Sequence, residues 1–460
     1  MSAVRVPLIS TYELGRQPFG LASPAAWLRA EGAEVVCLDL SQEKLDEDKI
    51  RAAELIAFYL PMHTATRIAL SAMKRVRALN PAAQLCAYGL YAPLNAGLLR
   101  EAGAVAVFGG EFEPSLAAAV RAMAGNGRKL PPQAQPDVSL ERLQFCVPDR
   151  TGLPPLDRYA RLIMPDGSLR TVGYTEASRG CKHLCRHCPI VPIYDGKFRI
   201  VQRDVVLEDI RRQVAAGAGH ITFGDPDFFN GVTHAIELVR GLHREFPHVS
   251  YDVTIKVEHP LKHAEHVAVL RDTGCAFVTT AVESLDDRVL AILDKGHTRA
   301  DFVRLVSLFR HIGLALAPTF VAFTPWITLE GYADLLHAIS DLGLVESVAP
   351  VQLAIRLLIP AGSRLLELPE VRSMIGEFDR AALSYRWQHL DPRVDQLQRE
   401  LERRVQALIA GGHGRRSIFE HARRLTREFT AGPDGLPALP ALPPMTSRAT
   451  VPYLTEPWYC

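Results

Sequence analysis

Between residues 173 and 365, short apolar runs alternate with amphipathic helical stretches six times, which limits this region to a parallel sheet covered by helices. The runs begin near Val172, His220, Tyr251, Phe277, Leu314 and Val351, about 36 residues apart, a normal length for one strand–helix unit. In the intervening helices Val206, Ile210 and Val214 share a face, as do Leu305, Leu308 and Phe309. Six such units predict a partial (β/α)6 TIM-like barrel, with functional groups where the loops after the strands converge.

Residues 1–125 alternate in the same way, with strands expected at 4–9, 35–38, 55–59, 84–88 and 105–108 and helices at 22–30 and 67–79. This predicts an α/β domain with a doubly wound parallel sheet. Residues 126–172 are rich in proline and read as a linker wrapping the surface. Residues 366–430 read as a helical C-terminal extension, with 397–408 a good amphipathic helix, and residues 431–460 as an extended tail.

Three cysteines sit at the end of the first barrel strand, in Cys181-Lys-His-Leu-Cys185-Arg-His-Cys188-Pro. Three thiolates in this spacing can hold a four-iron cubane and leave one iron without a protein ligand. Clusters that only carry electrons usually take four cysteines, so the open iron points to substrate chemistry. A structural zinc site is the competing reading, with His183 or His187 as fourth ligand. Such sites usually show a second ligand pair roughly 12–20 residues on, and none follows. The other cysteines are scattered: Cys37, Cys86 and Cys275 lie in apolar runs, which suits core residues in a reducing compartment. Lys and Arg total 52 against 51 Asp and Glu, so net charge gives no pull toward nucleic acid or membrane. No apolar run is long enough for a spanning helix, and the N-terminus does not look like a signal peptide. A cytoplasmic location is expected.

The triplet, together with the preceding Glu176-Ala-Ser-Arg-Gly180, resembles the radical S-adenosylmethionine (SAM) superfamily, whose loop reads C-x3-C-aromatic-x-C. His187 stands here where relatives usually carry the aromatic ring. The resemblance implies a [4Fe–4S] cluster on Cys181, Cys185 and Cys188 and SAM on its open iron. It implies reductive cleavage of SAM to methionine and a 5′-deoxyadenosyl radical that acts on an unidentified substrate. An external donor such as ferredoxin or flavodoxin would supply the electron. The N-terminal pattern, from Pro18-Phe-Gly through Glu34–Asp39 to Gly109-Gly110, resembles the cobalamin-binding domain that precedes many such cores. No Asp-x-His-x-x-Gly motif accompanies it, and His63 has the wrong neighbours, so the fold is expected with or without cobalamin. If cobalamin binds, methyl transfer becomes the leading chemistry. The alternative is an iron–sulfur electron carrier or zinc protein without SAM chemistry.

Site residues follow from the strand ends. Phe223-Gly224-Asp225-Pro226-Asp227 occupies the place of the family's Gly-Gly-Glu-like motif, which implies contacts from Gly224 and Asp225 to the SAM ammonium. On the third strand Thr254, Lys256 and Glu258 are expected to share one face, with Lys256 and Glu258 contacting SAM or substrate. Ala281-Val-Glu283-Ser284 followed by Lys295-Gly-His-Thr298 resembles another family stretch and assigns Glu283 to the ribose or aminoacyl end of SAM. The role of Arg356 stays open between site and structural ion pair. The chain's last residues, Trp458-Tyr459-Cys460, resemble a radical SAM group whose tail ends Cys-(Cys or selenocysteine)-Ala-Glu-Pro. A selenocysteine codon read as a stop is one explanation, and if the tail reaches the site Cys460 is a candidate redox or substrate-facing thiol.

Overall fold

The computed structural model describes residues 3–125, 129–131, 133–431 and 451–455. The first third of the chain builds a parallel sheet from β1 (Arg5–Ser10), β2 (Glu34–Asp39), β3 (Leu55–Tyr59), β4 (Gln84–Tyr88), β5 (Ala104–Gly110) and β6 (Asp137–Ser139). Helices α1 (Phe19–Ala30), α2 (Glu47–Ala52), α3 (His63–Leu79), α4 (Ala96–Glu101) and α5 (Glu113–Gly125) cover both faces. The strand order is β2-β1-β3-β4-β5-β6. Both faces are buried, which is why β1 and β3–β5 read as near-continuous apolar runs. The order reverses between β1 and β3, and the crevice at their carboxyl ends is where such sheets hold ligands.

The second sheet runs β14-β13-β12-β11-β8-β7-β17. Its parallel strands are β8 (Leu169–Thr175), β11 (His220–Phe223), β12 (Ser250–Thr254), β13 (Cys275–Glu283) and β14 (Ala315–Phe320). The antiparallel β7 (Arg161–Ile163) extends one edge. Between β8 and β11 come the paired β9 (Ser178–Gly180) and β10 (Phe198–Ile200), with α6 (Val191–Tyr194) in their connection and α7 (Arg203–Ala215) after them. The later crossovers are α8 (Val232–Glu245), α9 (Glu258–Lys262), α10 (Ala264–Asp272), α11 (Asp287–Leu293), α12 (Arg299–Ile312) and α13 (Leu329–Asp341). A capping box of Thr298 and Asp301 starts α12, and Gly313 at φ 77° ends it.

Several expectations need correction. The sixth barrel strand shrinks to one bridge between Phe323 and Arg356. Pro350–Leu353 is a 3₁₀ turn, and the Gln352 side chain accepts from the Phe320 amide (2.9 Å) in place of a strand carbonyl. The proline-rich segment does more than wrap the surface, since it supplies β6 to one sheet and β7 to the other. The region after the barrel is not purely helical. Between α14 (Pro369–Met374) and the pair α15 (Pro392–Ala410) and α16 (Arg415–Thr430) lies a hairpin of β15 (Ile375–Asp379) and β16 (Ser384–Trp387). In the tail, β17 (Tyr453–Leu454) pairs with β7. Cys460 lies outside the described residues.

Candidate active site

The carboxyl ends of both sheets face one cavity of about 430 Å³. Cys181, Cys185 and Cys188 all line it, in the loop between β9 and α6. Gly180 opens the loop at φ 73°, where a Cβ would sit 2.5 Å from the Lys197 carbonyl oxygen. The Cys188 amide donates to the Cys185 carbonyl (3.1 Å), and Arg186 is tied through its amide to Leu293 O (2.9 Å) and through its carbonyl to Ser363 Oγ (3.1 Å). Burial pushes the Cys181 and Cys188 thiols up to about 11 and about 12. Sulfurs so placed lose their protons only to a cation that takes the proton's place.

Arg179, which sequence reasoning passed over, anchors the foot of this loop. It is buried, and its guanidinium donates to Glu113 Oε1 (2.7 Å), Glu113 Oε2 (2.9 Å), Glu176 Oε2 (2.7 Å) and Glu111 Oε2 (3.3 Å). Glu111 and Glu113 follow β5, so the arginine ties the cysteine loop to the first sheet. The only sequence signal was two acidic residues after Gly109-Gly110 in an otherwise apolar stretch.

Glu283 ends β13 at φ 68°, a left-handed conformation that a non-glycine residue adopts at a cost. Its Oε1 accepts from Lys295 Nζ (3.2 Å) and lies 3.3 Å from His187 Nε2, one residue before Cys188. Burial alone would raise this carboxyl, but Lys295 and His187 bring it down to about 2. An ionised carboxylate is thus held at the cavity wall against the cysteine loop.

Asp225 is placed differently. Both its oxygens are engaged, Oδ2 by the Ala177 amide (2.9 Å) and Oδ1 by Ser178 Oγ (2.5 Å), and burial pushes its carboxyl up to about 7. It lines the cavity while fastening the strand that leads into the cysteine loop. Gly224 beside it leaves no room for a side chain, since a Cβ would meet Tyr174 Oη at 1.7 Å. Thr254 and Lys256 line the cavity too. The expected strand alternation through Glu258 fails, because β12 stops at Thr254 and α9 begins at Glu258. Lys256 Nζ and Glu258 Oε1 are nevertheless 3.8 Å apart. Arg356 lines the cavity and is also tied down by an ion pair with Asp395 Oδ1 (2.6 Å) and by stacking on Trp387. Asp227 Oδ2, buried below the loop, faces His259 Nδ1 (2.9 Å) and His183 Nε2 (3.3 Å).

From the first sheet the cavity takes Glu13, Leu14, Arg16, Tyr59, Met62 and His63, residues at the crevice between β1 and β3. His63 Nε2 is already paired with the Ala382 carbonyl.

Residues 175–339 match the profile of the radical SAM superfamily. They are a radical SAM domain. Among curated relatives, a tRNA-2-methylthio-N(6)-dimethylallyladenosine synthase of Yersinia enterocolitica serotype O:8 / biotype 1B is 20% identical over 305 residues, covering 62% of this chain and 61% of the relative. The same enzyme of Chlorobium phaeovibrioides is 29% identical over 156 residues, 31% of this chain and 34% of the relative. The chain therefore spans less than two thirds of the length of these relatives. Among solved structures, the radical SAM methyltransferase TsrM of Kitasatospora setae with cobalamin and [4Fe-4S] cluster bound superposes with TM-score 0.59 at 17% identity, over 74% of this chain and 73% of that one. The cobalamin-dependent SAM radical enzyme OxsB, with aqua-cobalamin and SAM bound, gives TM-score 0.64 at 14% identity, over 88% and 67%. The radical SAM fold is thus shared across the cysteine loop and the curled sheet, with an α/β sheet in front of it. Among the described residues no helix is long and apolar enough to cross a membrane.

Proposed function

We propose that this chain is a radical SAM enzyme that cleaves SAM reductively within the cavity between its two sheets. The observation that carries the reading is the pairing of three cavity-lining thiols with a strained, ionised Glu283 against the same loop. Cys181, Cys185 and Cys188 would hold the [4Fe–4S] cluster, and their burial suits sulfurs that give up protons only to metal. When bound, cluster and SAM together supply a 5′-deoxyadenosyl radical able to abstract hydrogen. Glu283 is assigned to hydrogen bonds from SAM hydroxyl or ammonium groups, and Lys295 keeps it ionised. Lys256 is assigned to a carboxylate of SAM or substrate. Gly224 lets β11 approach Tyr174 closely, and Asp225 fixes the cysteine-loop strand. The electron donor is assigned to the ferredoxin or flavodoxin class.

A second cofactor is supported by one further observation. The cavity extends to the crevice between β1 and β3, where doubly wound sheets bind ligands. Cobalamin fits this reading, with methyl transfer as the chemistry. His63 Nε2 is occupied by Ala382, so the corrinoid metal would take no ligand from that atom. Titrating SAM into anaerobically reconstituted protein, followed by electron paramagnetic resonance of the reduced cluster, tests the main reading. A changed spectrum is expected, and an unchanged one would favour electron transfer without SAM. Cobalamin co-purifying from cobalamin-fed cells would support the second cofactor.

A further inference from the structure

We propose that His183 Nε2, Asp227 Oδ2 and His259 Nδ1 form a second metal site, for one divalent first-row transition ion, beside the cysteine loop. Asp227 and His259 are 1% and 3% exposed. Asp227 Oδ2 lies at ion-pair distance from both histidines, 2.9 Å from His259 Nδ1 and 3.3 Å from His183 Nε2, but the three buried atoms meet one another outside hydrogen-bond geometry. Buried polar atoms rarely go unsatisfied. Ligands around a common ion point their lone pairs at the ion and not at one another, so atoms can be this close and still miss hydrogen-bond geometry.

The surroundings match a metal site. His183 Nδ1 lies 3.1 Å from Glu258 Oε1, and a carboxylate on the far nitrogen is the usual means of orienting a ligating imidazole. The other oxygen of Asp227 accepts from the Phe229 amide (3.1 Å), which fixes the carboxylate. Two imidazoles and one carboxylate suit zinc(II), iron(II) or cobalt(II), whereas calcium and magnesium prefer oxygen donors. Lys256 and Lys262 each lie 3.8 Å from a Glu258 oxygen, so the nearest ammonium groups are paired with this carboxylate. Cys181 also approaches His183 and Asp227, but it belongs to the cluster set. His183 and Asp227 line the cavity, so an ion held by them is open to an oxygen donor of the substrate, which it would bind and polarise.

Metal binding at this site can be read without any SAM chemistry. Cobalt(II) is titrated into the full chain carrying Ala at positions 181, 185 and 188, which cannot build the cluster. One equivalent is expected, with visible bands of a nitrogen–oxygen site and no sulfur-to-cobalt charge transfer. In the same background His259→Ala or Asp227→Asn should abolish tight binding, and Glu258→Gln should weaken it about 10- to 100-fold. As a check against misfolding, cluster-loaded wild-type protein should retain one cobalt after desalting, and a His259→Ala variant with full iron content should retain none. Absence of cobalt from both cluster-free and cluster-loaded protein, or binding indifferent to His259 and Asp227, would overturn the site.

Discussion

Replacing Glu283 by glutamine removes the carboxylate that faces the cysteine loop while keeping its shape. Its carboxyl is shifted from the ordinary 4.5 to about 2 against the opposing effect of burial. At ~1.36 kcal/mol per unit, Lys295 and His187 favour the charged form by about 3 kcal/mol net. The folded value is below the unfolded one, so this stabilisation is complete above about pH 4.5 and is lost as pH falls toward 2. Near neutral pH the group is fully ionised, as its proposed role of accepting from SAM requires. A charge-assisted hydrogen bond is worth about 1.5–3 kcal/mol, so Glu283→Gln should weaken SAM binding about 10- to 100-fold. Anaerobic calorimetry on cluster-loaded protein measures this, with iron content confirming that the cluster survives. The affinity of the wild type should be flat from pH 6 to 9 as far as Glu283 is concerned. Lys295→Met leaves burial as the dominant influence and raises the carboxyl, so SAM affinity in that variant should fall as pH drops. An affinity within about threefold of wild type in Glu283→Gln, at full iron content, would refute the assignment.

Gly224→Ala puts a methyl into Tyr174 Oη, and overpacking of this kind should cost about 1–3 kcal/mol, read as a lower melting temperature of the cluster-free protein. Arg179→Met leaves Glu113 buried and Glu176 half-buried without their cation and should destabilise by about 3–5 kcal/mol, with reduced iron incorporation after reconstitution. Burial raises the Glu111 carboxyl to about 7, so its ionised form opposes folding and stability falls as pH rises from about 4.5 through 7. Glu111→Gln should therefore melt a few degrees higher than wild type at pH 8, and the gap should close below about pH 4.5; equal melting temperatures at pH 8 would contradict the shift.

Strands β1–β5, β8 and β11–β14 could be read from the chain because parallel strands buried on two faces appear as apolar runs, whereas β6 and β7, within a proline-rich stretch that reads as a linker, could not. The apolar run at Val351 reads as a sixth strand but folds as a 3₁₀ turn, and the Gln352 side chain takes part of the strand's place beside Phe320. The β15–β16 hairpin was missed although Phe378, Tyr385 and Trp387 are aromatic residues suited to strands, because the charged helices around it dominated the pattern. Lys256 and Glu258 were placed by strand alternation that the helix start at Glu258 interrupts. The three cysteines and Glu283 were visible through local motifs. The tie between Arg179 and Glu111 and Glu113 was not, since it joins loops far apart in sequence, and the pairing of Glu283 with Lys295 depends on how the short helix α11 between them turns the chain back.

The most direct test is to incubate anaerobically reconstituted protein with dithionite and SAM and to quantify 5′-deoxyadenosine by chromatography. The structure predicts that the wild-type chain forms it and that Cys185→Ala does not. No deoxyadenosine from wild-type protein carrying its full iron complement, or equal amounts from the Cys185→Ala variant, would contradict the assignment of the cavity to radical SAM chemistry.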